Sequence, residues 1–299
     1  MTEAPTFAIV TTAYNRPELL LNLLESIAKA DDIHKWKVYI GIDPSDCLEQ
    51  NVAAIKQYQD RLNIEFAINT EKKGVRLNPF ATLDNTFSQA TDYILLLEDD
   101  LTISKDALTA CHKLAQEKLN QPNILAANLL MTTCCSESIF EPVDPAEYSA
   151  LANIFIETHF FSSCGLLISK KQWEKYFKAN WFTDEPLMVD WRGNKAVGWD
   201  MAMNRLLLMS PQLKVIQSLI PRVNHHGRIG THVTSSFQER SFDNISLEKF
   251  DVPVLENILL IDPFLEIERI PSAQARLYIN LCKHLWTSQI GRASCRERV

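Results

Sequence analysis

The chain has 299 residues, with 30 Lys and Arg against 37 Asp and Glu, a formal charge of −7 and a pI near 5.6. That balance argues against binding nucleic acid or an anionic membrane, because either requires a basic face. No window approaches the roughly 18 consecutive apolar residues of a membrane span, and the N-terminus MTEAPTFAIVTTAY has neither a basic start nor a long apolar stretch. A cytoplasmic protein, or a membrane-peripheral one, is expected. The cysteines at 47, 111, 134, 135, 164, 282 and 295 show no C-x-x-C spacing and read as reduced thiols, mostly in the core. At about 150 residues per domain, the length fits one large α/β domain or two closely joined halves.

In chain order, Phe7 to Thr12 is a short apolar run ending in Ala13-Tyr14-Asn15-Arg16-Pro17, after which Leu20, Leu23, Leu24 and Ile27 recur at helical spacing. Pro17 suits a first helical turn, and Glu18 complements the positive end of the helix dipole. A second strand, Lys37 to Ile42, ends at Asp43-Pro44-Ser45-Asp46; a helix from about Glu49 to Arg61 leads to a third strand at Ile64 to Ile68. This β-α-β-α-β order predicts a parallel sheet with right-handed crossovers. Lys72-Lys73-Gly74-Val75-Arg76 reads as a basic turn before a helix through Leu83 and Phe87.

The next segment, YILLLEDDLTIS from Tyr93 to Ser104, joins a buried strand to Glu98, Asp99 and Asp100. Carboxylates packed against an apolar run are costly unless a cation sits beside them. At the carboxyl end of a strand they face the crevice where α/β sheets bind ligands, and a divalent metal bridging to phosphate oxygens is a natural partner. A purely structural reading, in which the acids cap the following helix, needs only one of them. Ser104 is expected to cap a helix with Ala107, Cys111 and Leu114 on one face. Ile124 to Leu130 is β-like, the polar stretch from Ser136 to Ala146 reads as a mobile loop, and Ser162 to Ile168 as a strand followed by a helix from Lys170 to Phe177. Gly198-Trp199-Asp200 opens a helix to Met209, and a strand from Val215 to Ile220 feeds Asn224-His225-His226-Gly227-Arg228-Ile229-Gly230-Thr231-His232.

Strand-TTAYNRP-helix, a strand ending in Asp43, the Lys73-Gly74 turn and LLLEDD occur in the order of a GT-A glycosyltransferase, which the chain resembles. It is similar to the N-acetylglucosaminyltransferase I family rather than to generic family 2 enzymes in three features: the EDDL form with a following S-x-D, the Cys-Gly-Leu-Leu strand, and the Trp-Asp helix followed by HGRIGTH. The resemblance spans roughly residues 6 to 240 and implies a Rossmann-like, three-layer α/β/α fold with a mainly parallel sheet. Residues 1–240 would form the GT-A domain, with a nucleotide-sugar half to about 120 and an acceptor half beyond it. Residues 241–289 would be a C-terminal extension, and 290–299 look like translated sequencing-adapter read-through.

By the same resemblance, Asp100 would hold Mn²⁺ or Mg²⁺, and Glu98 and Asp99 the ribose or sugar. Thr11, Tyr14, Arg16 and Asp43 would surround the uridine of a UDP-sugar, Asp43 accepting from the uracil imide, although an Asp-Pro turn explains Asp43 equally well. Arg76 would reach the diphosphate or the acidic motif, or simply be a solvated charge. Asp200 would be the general base acting on a glycan or other hydroxyl acceptor, beside Trp199; the bland alternative is a helix cap. His226 and Arg228 would fold over the donor diphosphate. His225, His226 and His232 lack a cysteine or acid at zinc-ligand spacing, and one of them would serve as a second metal ligand. Trp173, Trp181 and Trp191 read as core. The activity implied is metal-dependent, inverting transfer of a sugar, GlcNAc by resemblance. The alternatives are a sugar-phosphate nucleotidyltransferase, whose Gly-rich basic first loop is replaced here by TAYNRP, and a non-catalytic nucleotide-sugar-binding module.

Overall fold

The computed structural model describes residues 4–130, 148–186, 197–227 and 257–273, with the single positions 242, 247, 275–277, 279, 280 and 283. Arg228, His232, Trp191, the polar stretch 136–146 and the terminal residues 290–299 lie outside the described residues.

Strands β1 (Phe7–Ala13), β2 (Trp36–Ile42), β3 (Ile64–Ile68) and β4 (Tyr93–Leu96) pair in parallel in the order β3-β2-β1-β4. They are joined by helices α1 (Pro17–Ala28), α2 (Leu48–Lys56) and α3 (Gly74–Ser88). The apolar period of α1 is its buried face, since Leu20, Leu23, Leu24 and Ile27 are all inaccessible. Helix α2 stops at Lys56, short of the expected Arg61, and the chain continues in turns that still bury Tyr58 and Leu62.

After β4 the chain leaves the sheet, forms β5 (Leu101–Ile103) and enters α4 (Ala107–Glu117). The large sheet is then completed by β6 (Ile124–Asn128), β7 (Ile154–Thr158), β8 (Leu166–Ser169) and β9 (Lys214–Ser218). Between them lie α5 (Tyr148–Leu151), α6 (Lys170–Gln172), a π turn (Trp173–Phe177), α7 (Lys178–Asn180) and α8 (Trp199–Met209). Strand β10 (Val223–His225) pairs with β5 in a small ribbon, and β11 (Leu259–Ile261) closes the far edge of the sheet, whose order is β11-β7-β9-β6-β8-β4-β1-β2-β3. The sheet is mixed but mainly parallel, with β8 antiparallel between β4 and β6 and β7 antiparallel to β9. Strand β11, within the expected C-terminal extension, pairs with β7 and so belongs to the same sheet.

Alternate residues of β1 supply different cores, as a two-faced strand requires. Ile9 packs in the layer containing α1 and α4, whereas Ala8 and Val10 pack in the layer containing α3, α8, Trp173 and Trp181. The result is the expected three-layer α/β/α arrangement of the GT-A fold. No helix among the described residues is long and apolar enough to cross a membrane.

Ser104 does not cap α4. Its hydroxyl donates to Asp106 Oδ1 at 2.6 Å, and its backbone N–H bonds the carbonyl of Arg222 at 2.9 Å. The reason is Arg222, which is fully buried between β9 and β10. Its Nε donates to Asp106 Oδ2 at 2.8 Å, its Nη2 to the carbonyl of Ala152 at 2.7 Å and its Nη1 to Ser218 Oγ at 2.5 Å. A buried guanidinium requires an anion, so Asp106 is committed to the pair instead of to the helix end. Arg222→Met should destabilise the protein by about 3–5 kcal/mol in denaturant unfolding, because Asp106 is left without its cation, while Arg222→Met with Asp106→Leu should recover a large part of the loss.

Candidate active site

The acidic turn follows directly from the strand that precedes it. Leu97 N–H still bonds Val10 O at 2.9 Å, and Leu101 N–H bonds Glu98 O at 3.1 Å, so the chain reverses over Glu98, Asp99 and Asp100. Both aspartates are buried, at 6% and 4% exposure. Arg16, from the loop between β1 and α1, forks across them. Its Nε and Nη2 engage Asp99, and its Nη1 donates to Asp100 Oδ2 at 2.7 Å. Burial lowers the tendency of Arg16 to stay charged, but the two carboxylates more than offset this.

The small ribbon supplies the other partner of Asp100. Val223, Asn224 and His225 pair with Ile103, Thr102 and Leu101, and the ladder continues with His226 N–H bonding Asp100 O at 2.8 Å. This register sets His225 Nε2 3.3 Å from Asp100 Oδ2. His226 projects the other way, with Nε2 2.8 Å from Thr102 Oγ1. His225 rather than His226 is therefore the histidine at the acidic turn. Gly227 lies so close that a Cβ there would collide with Asp100 Oδ2 and come within 2.8 Å of His225 Cε1.

The carboxyls differ in electrostatic state. Burial pushes Asp99 up to about 7, against the pull of Arg16. Burial acts on Asp100 as well, but His225 and Arg16 outweigh it and hold Asp100 below the ordinary carboxylate range. Glu98 is raised, chiefly by burial and then by Asp100, with a hydrogen bond from Ser163 opposing the rise. Asp100 is thus the member of the trio that keeps its charge. Its Oδ1 is buried without a hydrogen-bond partner, as is the hydroxyl oxygen of Thr11 at the end of β1.

Away from the acidic turn, Asp43 is buried at the end of β2, where Oδ1 accepts from Asn69 Nδ2 at 2.8 Å and Oδ2 from the Gly74 N–H at 2.7 Å. It therefore anchors the start of α3. The Tyr14 carbonyl accepts from Ser45 Oγ and Asn51 Nδ2, and the Tyr14 ring carries Lys72 Nζ 3.9 Å from its centroid. Arg76 departs from expectation and is turned away from the acidic turn. Its Nε and Nη2 donate to the carbonyls of Trp181 and Thr183, and its Nη1 pairs with Asp184 at 2.6 Å.

Asp200 sits in the first turn of α8 and is close enough to add to the raised state of Glu98. Gly198 precedes it with φ of 148°, a conformation that disfavours other residues, and a Cβ there would meet Asp200 Oδ1 at 2.6 Å. Asn204, one turn on, holds the segment from Phe161 toward Ser163 against α8. Its Oδ1 accepts from Phe161 N–H at 2.9 Å, while Nδ2 donates to Phe161 O and to Asp200 O, both at 3.0 Å. Asn204, Ser163 and Asn69 were missed in the sequence, where isolated polar residues carry no period. The only available signal was Asn204 falling on the apolar face of α8.

Residues 4–151 match the family model described as "Glycosyltransferase like family 2". That is the wider group from which the three motif features would set the chain apart, and the match is not to the N-acetylglucosaminyltransferase I family. No curated protein matches. Among solved structures, residues 1–349 of S. aureus TarS in complex with UDP-GlcNAc superpose with a TM-score of 0.51 at 16% identity, over 76% of this chain and 60% of that one. The mannosyltransferase PcManGT from Pyrobaculum calidifontis, in complex with GDP-Man and Mn²⁺, gives 0.45 at 13% identity over 94% and 74%. The chain thus spans well under two thirds of that TarS structure. The fold is that of the GT-A class, and the matched segment, just under half of the chain, is similar to a glycosyltransferase domain. The segment contains Arg16, Asp43 and the acidic turn, whereas His225 and Asp200 lie beyond it.

Asn204→Ala should destabilise the protein by about 2 kcal/mol, read as a lower denaturant midpoint, since it strands the buried N–H and carbonyl of Phe161.

Proposed function

We propose that the protein is a metal-dependent, inverting glycosyltransferase that moves GlcNAc from UDP-GlcNAc to an acceptor hydroxyl. The observation that carries this reading is Asp100: a buried carboxylate that keeps its charge, has one oxygen without a partner, and lies against His225 in the crevice at the strand ends. Among the described residues no three His, Cys, Asp or Glu form a closed metal cage. One carboxylate with one imidazole instead suits a hard cation that completes its shell with diphosphate oxygens. Asp100 and His225 would hold Mn²⁺ or Mg²⁺, which, when bound, neutralises charge on the departing UDP. GlcNAc is favoured by the motif resemblance and by the UDP-GlcNAc complex of the TarS structure.

The remaining chemistry belongs to the chain. Thr11, Tyr14 and Asp43 face the nucleoside at the ends of β1 and β2. Arg16 is held by the acidic pair and is about one-third exposed, so it can also meet diphosphate oxygens. Asp200 accepts the proton of the acceptor hydroxyl as its oxygen bonds to C1 of the sugar and the bond from C1 to the UDP oxygen breaks, inverting the anomeric centre. Gly227, having no Cβ, lets the backbone after β10 lie against Asp100.

Calorimetric titration of UDP and UDP-GlcNAc with Mn²⁺ and with chelator tests the donor half. Binding should require the metal and be lost in Asp100→Ala; metal-independent binding in that variant would overturn the metal assignment. Asp200→Asn should abolish transfer while keeping UDP affinity, and normal turnover in it would remove the base.

A further inference from the structure

The aromatic residues around Trp199 form a connected structure that the function above does not use. Trp199 stacks flat on Trp181, with centroids 4.2 Å apart and planes 6° from parallel. Trp181 is fully buried, and Trp173 and Phe80 pack on it at 5.5 and 5.9 Å. It is also tied reciprocally to Arg76: Trp181 Nε1 donates to the Arg76 carbonyl at 2.8 Å, and Arg76 Nε donates to the Trp181 carbonyl at 3.2 Å. Thr183 and Asp184 complete the guanidinium's bonds, and Glu185 pairs with Arg205 on α8. The segment from Trp181 to Glu185 is therefore fastened to the first turn of α3 on one side and to α8 on the other.

The first turn of α3 also carries the Gly74 N–H that Asp43 accepts, and the first turn of α8 carries Asp200. One short path of side chains thus connects the nucleoside end of β2 to the residue after Trp199. A lone tryptophan in a core needs neither a parallel partner nor two reciprocal hydrogen bonds to stay buried.

We propose that Trp181 and Arg76 are positioning residues for sugar transfer: their clamp holds the Trp199 ring and, through it, the carboxylate of Asp200 at the crevice. This rests on the reading of Asp200 as general base. Neither residue touches the reacting atoms. Their contribution is orientation, for which a displacement of about 1 Å can cost on the order of 100-fold in rate.

The test uses the full chain with Arg76→Ala, Trp181→Leu, Trp181→Phe and Asp200→Asn. Three measurements are made: hydrogen exchange at amides 202–205 of α8, UDP affinity with Mn²⁺ by calorimetry, and UDP release from UDP-GlcNAc with water as acceptor. In Arg76→Ala and Trp181→Leu, those amides should exchange faster while exchange in α1 and α4 is unchanged. Their UDP affinity and donor KM should hold, and kcat should fall about tenfold or more. Trp181→Phe keeps a ring for the stack but loses the Nε1 hydrogen bond to Arg76, and should fall between the parent and Trp181→Leu. If Trp181→Leu does not fold, Arg76→Ala carries the test alone, because Arg76 is half exposed. Unchanged exchange in Arg76→Ala would overturn the clamp. Faster exchange with unchanged kcat, or a loss of UDP affinity in step with kcat, would overturn the positioning role. If Asp200→Asn releases UDP at the parent rate, the base reading fails and takes the proposal with it.

Discussion

The structure depends on how three consecutive carboxylates are kept inside a protein. Taking an isolated carboxylate out of water costs several kcal/mol even after relaxation, so Asp99 and Asp100 cannot be buried without donors converging on them. Arg16 is a permanent cation shared between the two. His225 adds charge only when protonated. The compensation is therefore incomplete, and it falls unevenly: Asp99 receives two arms of the guanidinium yet remains pushed toward neutrality by burial, whereas Asp100 receives one arm and an imidazole and keeps its charge. The residual negative charge and the oxygen left without a partner coincide on one residue, which is the condition for recruiting a cation along with a phosphate-bearing ligand.

That arrangement explains features far away in the chain. The partners of Asp100 come from a loop 84 residues earlier and from the ribbon well over a hundred residues later. The ribbon's register is supported by Arg222, just before β10, which is paired with Asp106, just before α4, and whose carbonyl accepts from the Ser104 N–H. The buried ion pair is thus part of what aims His225. Buried pairs contribute little net stability compared with an apolar replacement, so its retention is better explained by the orientation it imposes than by energy.

The first four strands and α1 were legible because each has a clean apolar run bounded by turn residues, and Ile64 to Ile68 fell where the pattern placed it. What failed was three residues long or shorter in its signal. Strands β5 and β10 are too brief for alternation to register, so the choice between His225 and His226 could not be made from sequence: neighbours in a strand point to opposite sides, and a slip of one residue exchanges them. The pairing of Val223 with Ile103, both buried, decides it. Arg76 read as a basic residue beside a phosphate site, but its fork finds two carbonyls and a carboxylate in a segment 105 to 108 residues away, a contact that no local pattern encodes. Ser104 read as a cap because capping is a local rule, whereas the demand that removed Asp106 from the helix end came from a buried arginine.

The two sides of the crevice are built by different means. The side at the ends of β1 and β2 is made of strand ends and tight turns close in sequence, with Asp43 giving one oxygen to Asn69 and the other to the Gly74 amide, so its shape is set by the chain itself. The other side depends on α8, whose first turn is entered through a glycine in a strained conformation and steadied by Asn204 beneath and the stacked tryptophan beside it. A glycine at that entry lowers the barrier to rotating the turn, and the stack and the amide clamp raise it again. The first turn of α8, and with it Asp200, is thus held by the packing that surrounds it as well as by its own backbone preference.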